Sequence, residues 1–73
     1  MTLLMDTRIT VWFERDVPYG LIWEGRHYRV TDTPTRLEDQ TGWRFQGSDD
    51  DELTRVFDIV KTGAQWEMLR VNV

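Results

Sequence analysis

Between Arg8 and Glu14 apolar and polar side chains alternate, with Ile9, Val11 and Phe13 on one side and Arg8, Thr10, Trp12 and Glu14 on the other. A period of two predicts a strand with one dry face. Arg15 to Pro18 predicts a break after it, because proline has no N–H for a ladder and biases its predecessor toward extended conformations. The strongest local pattern follows, from Tyr19 to Thr31. Leu21, Ile22 and Trp23 run into Glu24-Gly25 and out through Arg26, His27, Tyr28, Arg29 and Val30, which predicts a β-hairpin. With Glu24-Gly25 as a two-residue loop, Trp23 faces Arg26, Leu21 faces Tyr28 and Tyr19 faces Val30. Partners share a face, so Tyr19, Leu21, Trp23, Tyr28 and Val30 gather on one side, while Gly20, Ile22, His27, Arg29 and Thr31 form a wetter one.

Residues 32–41 are polar, interrupted by Pro34 and carry one aliphatic side chain, Leu37, which predicts a long connection across an edge or end of the sheet. Gly42 to Gln46 reads as a short strand ended by Gly47-Ser48. Residues 48–63 carry two conflicting signals. As a helix at about 49–62, they have Ser48 as N-cap, an acidic first turn, Leu53, Val56, Phe57 and Val60 at helical spacing, and Gly63 just past the end. As a strand, they show the concentration of Thr54, Val56, Phe57, Ile59, Val60 and Thr62 that a pleated surface favours. A loop near 62–65 then leads to a last strand, on which Leu69, Val71 and Val73 join Phe57 and Ile59 on the inner side. That register leaves large apolar groups on a second face as well: Trp12, Ile22, Val56, Val60, Trp66 and Met68. Wrapping of the chain is expected to cover most of these and leave one or two aromatic residues exposed as a contact patch.

With 73 residues, the chain forms a single domain, 1–73, with 1–7 a candidate disordered lead-in. Its formal charge is −4, but Asp49, Asp50, Asp51 and Glu52 alone supply that excess, so the rest of the chain balances. Such a balance argues against a strongly basic nucleic-acid or membrane-surface protein, and the 40% hydrophobic content with four Trp argues against disorder. The absence of Cys excludes disulfides, thiolate catalysis and Cys-based zinc sites. No stretch approaches the roughly 20 apolar residues of a membrane span, and the expected location is the cytoplasm.

Candidate chemistry is sparse. His27 is the single histidine and falls on the wet face of the hairpin, with no second ligand or orienting base placed by the sequence. The acidic run lacks the spaced oxygens and glycine turn of a calcium loop and reads as a solvated loop. The five glycines are scattered, so no phosphate cradle is present. No catalytic, cofactor-binding or metal-binding residue is assigned, and no enzyme activity is expected. Arginine outnumbers lysine eight to one and interleaves with aromatic residues in Trp23-x-x-Arg26, Tyr28-Arg29 and Trp43-Arg44-Phe45. On a small barrel such pairs could stack bases and hold phosphates. The plainer account has the aromatic residues in the core and the arginines paired with the 13 acids, and the lack of net positive charge favours it.

The run Trp23-x-Gly25-Arg26-x-Tyr28-x-Val30, then Trp43-Arg44-Phe45, Val56-Phe57-Asp58-Ile59 and Gly63-x-x-Trp66-x-x-Leu69, resembles a family of small actinobacterial proteins of unknown function. The likeness spans about Thr10 to Val73 and departs from the family pattern in a shorter segment between Val30 and Trp43. It implies a strand at Val56-Phe57-Asp58-Ile59 leading through a glycine turn into a Trp-containing strand, and an association with genes for error-prone DNA polymerases. No catalytic residue carries over. The resulting expectation is an all-β domain, a five- or six-stranded antiparallel SH3-like open barrel, with strands near 8–14, 19–24, 26–31, 42–46, 54–61 and 66–72; the alternative is an α+β fold with the helix at 49–62. The expected function is a non-enzymatic interaction module for a protein partner. The alternative is an accessory domain binding single-stranded nucleic acid, linked to DNA repair or error-prone synthesis. The candidate contact residues are Trp12, Ile22, Arg29, Arg44 and Trp66.

Overall fold

A computed structural model describes residues 8–38 and 41–72, and every regular element among them is a β-strand. In chain order these are β1 (Arg8–Glu14), β2 (Val17–Trp23), β3 (Arg26–Val30), β4 (Thr35–Arg36), β5 (Gly42–Ser48), β6 (Thr54–Thr62) and β7 (Gln65–Asn72). The expectations for residues 1–7 and for Val73 lie outside the described residues. No helix among the described residues is long and apolar enough to cross a membrane.

All pairings are antiparallel, in the order β3-β2-β1-β7-β6-β5-β4, and β3 also pairs with β5. Six strands therefore close into a small barrel, and β4 is an extra two-residue strand on β5. The connection expected at 32–41 thus holds a strand that its polar composition hides. β5 accommodates both neighbours on one edge: its start pairs with Thr35 and Arg36, and its end pairs with Arg29 and Val30. Where β5 begins, Gly42 is buried so tightly that a Cβ would land on the Ile59 carbonyl oxygen and press against Leu37. No other residue fits there without moving the backbone.

The interior is filled by Leu21, Tyr28, Trp43, Phe45, Phe57, Ile59 and Met68, with Ile9, Val11, Phe13, Trp23, Val30, Trp66 and Val71 packed around them. Phe57 is the hub. Its ring centroid lies 4.9 Å from that of Tyr28, 5.9 Å from Phe45 and 6.2 Å from Trp23. The β2–β3 hairpin has the expected register, Trp23 opposite Arg26 and Leu21 opposite Tyr28. Its loop is Glu24-Gly25, both at positive φ (50° and 77°), the type I′ geometry whose twist matches a hairpin, even though glutamate is an unfavoured first residue.

Two bulges correct the expected inner face. Trp12 pairs with Gly20 and Phe13 with Pro18, so Tyr19 is the extra residue of a bulge in β2 and stands outside the barrel, 53% exposed. The expected break at Arg15 to Pro18 shrinks to a two-residue turn, Arg15-Asp16, and buried Pro18 lies within β2. Proline is tolerated there because β3 pairs only with Gly20–Trp23, leaving the start of β2 with one neighbour. In β7, Asp58 pairs with Arg70 and Ile59 with Met68, which makes Leu69 the extra residue. Leu69 was expected inside with Phe57 and Ile59; it is ejected to 57% exposure, and Met68 enters the core in its place.

The helix alternative at 49–62 is overturned. Thr54–Thr62 forms a strand that pairs with β5 over residues 54–60 and with β7 over residues 56–62, the outcome its β-branched residues favour. The signals that resembled a helix cap organise the preceding loop instead. One Asp49 carboxylate oxygen accepts the backbone N–H groups of Asp51 (2.9 Å) and Leu53 (3.0 Å), and the Ser48 and Thr54 hydroxyls meet at 2.9 Å across the mouth of the loop.

Candidate functional site

The outer surface of β1, β2 and β3 is built around a missing side chain. Trp12 faces Gly20 across β1 and β2, and Gly20 faces Arg29 across β2 and β3. With no side chain at position 20, the Trp12 ring lies against the bare strand, 3.5 Å from where a Cβ would stand. It reaches His27, with ring centroids 5.3 Å apart in an edge-to-face arrangement. Ile22 occupies the next row, between Thr10 and His27. Trp12 and Ile22 remain 36% and 37% exposed, and the bulge adds Tyr19 to the exposed set. A shallow groove of about 560 Å³ runs alongside, lined in part by Thr10, Ile22, Glu24 and Gln65.

Three of the five candidates, Trp12, Ile22 and Arg29, therefore share one face. Arg44 and Trp66 do not join them. Arg44 stands on β5, where its Nε and Nη2 donate to the two oxygens of Asp58 at 2.7 and 3.0 Å. Asp58 is almost fully buried. The two-pronged Arg44 hydrogen bond holds its carboxyl below the usual range against the opposing effect of burial, and Arg70 adds to the lowering. Trp66, expected on the second face, is turned inward by the β7 bulge and packs on Phe13, ring centroids 5.1 Å apart.

Trp66 and Phe13 instead border a different cavity, a cleft of about 700 Å³ where the β1–β2 and β6–β7 turns meet the start of β5. Trp43 forms part of its wall, with Arg36, Lys61 and Asp16 around it. The Arg36 guanidinium lies 4.3 Å from the Trp43 ring centroid, a cation–π contact. The Lys61 backbone N–H donates to the Thr41 carbonyl at 3.2 Å and fixes that side of the opening. Sequence patterning misses this cleft because its residues come from five strands, β1, β4, β5, β6 and β7, and from the loops beside them.

In the acidic run Asp50, Asp51 and Glu52 are exposed, as its composition predicts, and Asp49 departs from that expectation. Asp49 is buried, and its second carboxylate oxygen accepts from Arg26 at 3.0 Å. Burial alone would push this carboxyl up; the Leu53 and Asp51 N–H groups together with Arg26 outweigh it and hold it below the usual carboxylate range. Asp51 also meets Arg26, at 3.4 Å. Both buried carboxylates are thus committed to structural partners and stay ionised, which is the wrong state for a proton donor near neutrality. Among the described residues no group of three or more His, Asp or Glu side chains is placed to hold a metal ion.

Comparison with known proteins returns no matching family model, curated protein or solved structure.

Proposed function

We propose that this chain is a non-enzymatic interaction module, an SH3-like barrel that presents the outer face of β1–β3 to a protein partner. The observation that carries this reading is the joint exposure of Trp12, Tyr19 and Ile22 on strands whose opposite face is locked into the core. Rigid aromatic side chains on a fixed scaffold bind at low entropic cost and dominate protein interfaces when buried by a partner. His27 and Arg29 supply polar groups at the margin of that patch.

Affinity capture followed by mass spectrometry, with a Trp12→Ala/Ile22→Ala variant and a Leu69→Ala control, tests it. A protein retained by the native chain and the control but lost by the double variant supports the reading. Equal recovery by all three sinks it.

A second reading, an accessory nucleic-acid-binding domain, is favoured by the cleft, where aromatic rings and two cationic side chains come together. It gains nothing from Arg26 and Arg44, whose guanidinium groups are occupied by Asp49 and Asp58.

A further inference from the structure

We infer that the barrel-end cleft is a binding site for a neutral, dipolar ring, a guanine base, an inference that rests on the nucleic-acid reading and gives it a location and a preference. The volume of about 700 Å³ falls within the roughly 300–1,000 Å³ range of small-molecule sites. Trp43 is nearly buried and forms the floor, with the Arg36 guanidinium already over its ring. Trp66 is only partly buried and offers ring surface to an incoming base. Phe13 braces Trp66 at 5.1 Å, so the platform is held before any ligand arrives.

The charges around this platform balance. Arg36 is engaged by Trp43 and by a further contact, and it is not counted toward a ligand. The other charged groups of the described lining are the Lys61 ammonium and the Asp16 carboxylate, both exposed. Lys61 is the direct partner of Trp66 in the β6–β7 register, and Asp16 belongs to the turn that follows the strand of Phe13, so the two flank the ring pair. Among the described residues neither forms an ion pair. A balanced pair of separated charges gives a phosphate no advantage and suits a ligand that is neutral overall but carries donors and an acceptor on one edge. Guanine has that edge. Its N1–H and amino group donate side by side to the two oxygens of a carboxylate, and O6 beside them accepts from an ammonium. Adenine has no carbonyl, thymine no amino group, and cytosine a single amino donor; a tyrosine or tryptophan side chain offers a carboxylate only one donor.

A free nucleoside and a base in a single strand present the same chemistry, and titration of the full chain separates them. The tryptophan indole N–H resonances are followed with guanosine, inosine, N-acetyltyrosinamide, a short oligothymidylate and the same oligonucleotide carrying one central guanine. The expected result is a shift of the Trp66 resonance by guanosine, with an affinity that added salt barely changes because the ring is neutral. Inosine, which lacks the amino group, should bind about tenfold more weakly, and Asp16→Asn should weaken guanosine by a similar factor. Asparagine tolerates the positive φ of Asp16, so this variant keeps the turn while replacing an acceptor oxygen with a donor. Tighter binding of the guanine-bearing oligonucleotide than of guanosine identifies a strand as the source, and equal binding identifies a free nucleoside; either supports the site. Inosine or N-acetyltyrosinamide binding as tightly as guanosine overturns the inference, the latter by assigning the cleft to a protein side chain. Guanosine binding that shifts Trp12 instead of Trp66 and survives Asp16→Asn overturns the cleft. Salt-sensitive binding of both oligonucleotides without preference for guanine overturns the inference and leaves the nucleic-acid reading standing. No binding of any probe at low salt overturns both.

Discussion

Arg44 and Asp58 are direct partners in the β5–β6 register, joined by hydrogen bonds of 2.7 and 3.0 Å, so a buried carboxylate on the barrel wall is neutralised by a guanidinium that itself stays in water. This pair and the Asp49–Arg26 pair make the fold acid-sensitive. Both carboxyls titrate below their usual value when folded. Their stabilisation is therefore complete above the unfolded carboxylate value of about 4 and is lost as pH falls through the folded values. The thermal midpoint should be flat from neutrality to about pH 5 and drop below about pH 4. Asp58→Asn should lower the neutral midpoint and flatten the acid limb, and Arg44→Ala alone should destabilise more than Arg44→Ala combined with Asp58→Asn, because only the single change strands a buried charge. Circular dichroism melts across pH check all three.

Among the glycines, Gly42 makes the tightest approach to a neighbouring strand. Gly42→Ala should cost at least the ~1–3 kcal/mol typical of overpacking, because the obstructing atom is a strand carbonyl and cannot turn aside. At about 4–8 °C per kcal/mol for a domain of this size, the loss is readily seen in a thermal melt. Gly47→Ala meets the Phe57 ring at 3.0 Å and the Arg29 carbonyl oxygen at 3.3 Å and should cost less, since both approaches are looser than the one at Gly42.

The β7 bulge yields a contrast between neighbours. Leu69→Lys should change stability by no more than about 0.5 kcal/mol, as for other exposed positions, whereas Met68→Ala should cost about 2–5 kcal/mol. Urea unfolding of the two variants measures the difference. Equal effects would mean that the bulge lies elsewhere.

The Asp49 loop offers a local readout. Asp49→Ala removes the acceptor for the Asp51 and Leu53 N–H groups, and hydrogen exchange at those amides should accelerate while the Phe57 and Ile59 amides keep their protection. Asp49→Asn keeps an oxygen in place and should show a smaller acceleration.

Much of this architecture is legible in the sequence where a turn and a face agree. Glu24-Gly25 fixes the β2–β3 register, and the alternation of Leu21, Trp23, Tyr28 and Val30 then selects the inner side. β6 is legible from its β-branched residues once the competing cap signals are set aside. Bulges escape such reading, since an inserted residue reverses the alternation without changing composition: Tyr19 and Leu69 look like core residues, and Trp66 and Met68 look like surface ones. Asp49 is hidden for a different reason. Four consecutive acids suggest solvent, and only the folded chain shows that one of them turns inward to collect backbone donors. Of the contact candidates, Trp12, Ile22 and Arg29 fall together because strand pairing alone places them, whereas the positions of Arg44 and Trp66 depend on partners far away in sequence.

The barrel is closed by two short seams. Among the described residues β1 meets β7 through two residue pairs and β3 meets β5 through two, while every hairpin between them is longer. The molecule is in effect two three-stranded ribbons clasped edge to edge, β1–β3 and β5–β7, with tyrosine and tryptophan from one interleaved with phenylalanine from the other. Cutting the tether between them would leave each ribbon's hairpins whole and only the clasp to rebuild, a division along which such a protein could be split and reassembled from halves.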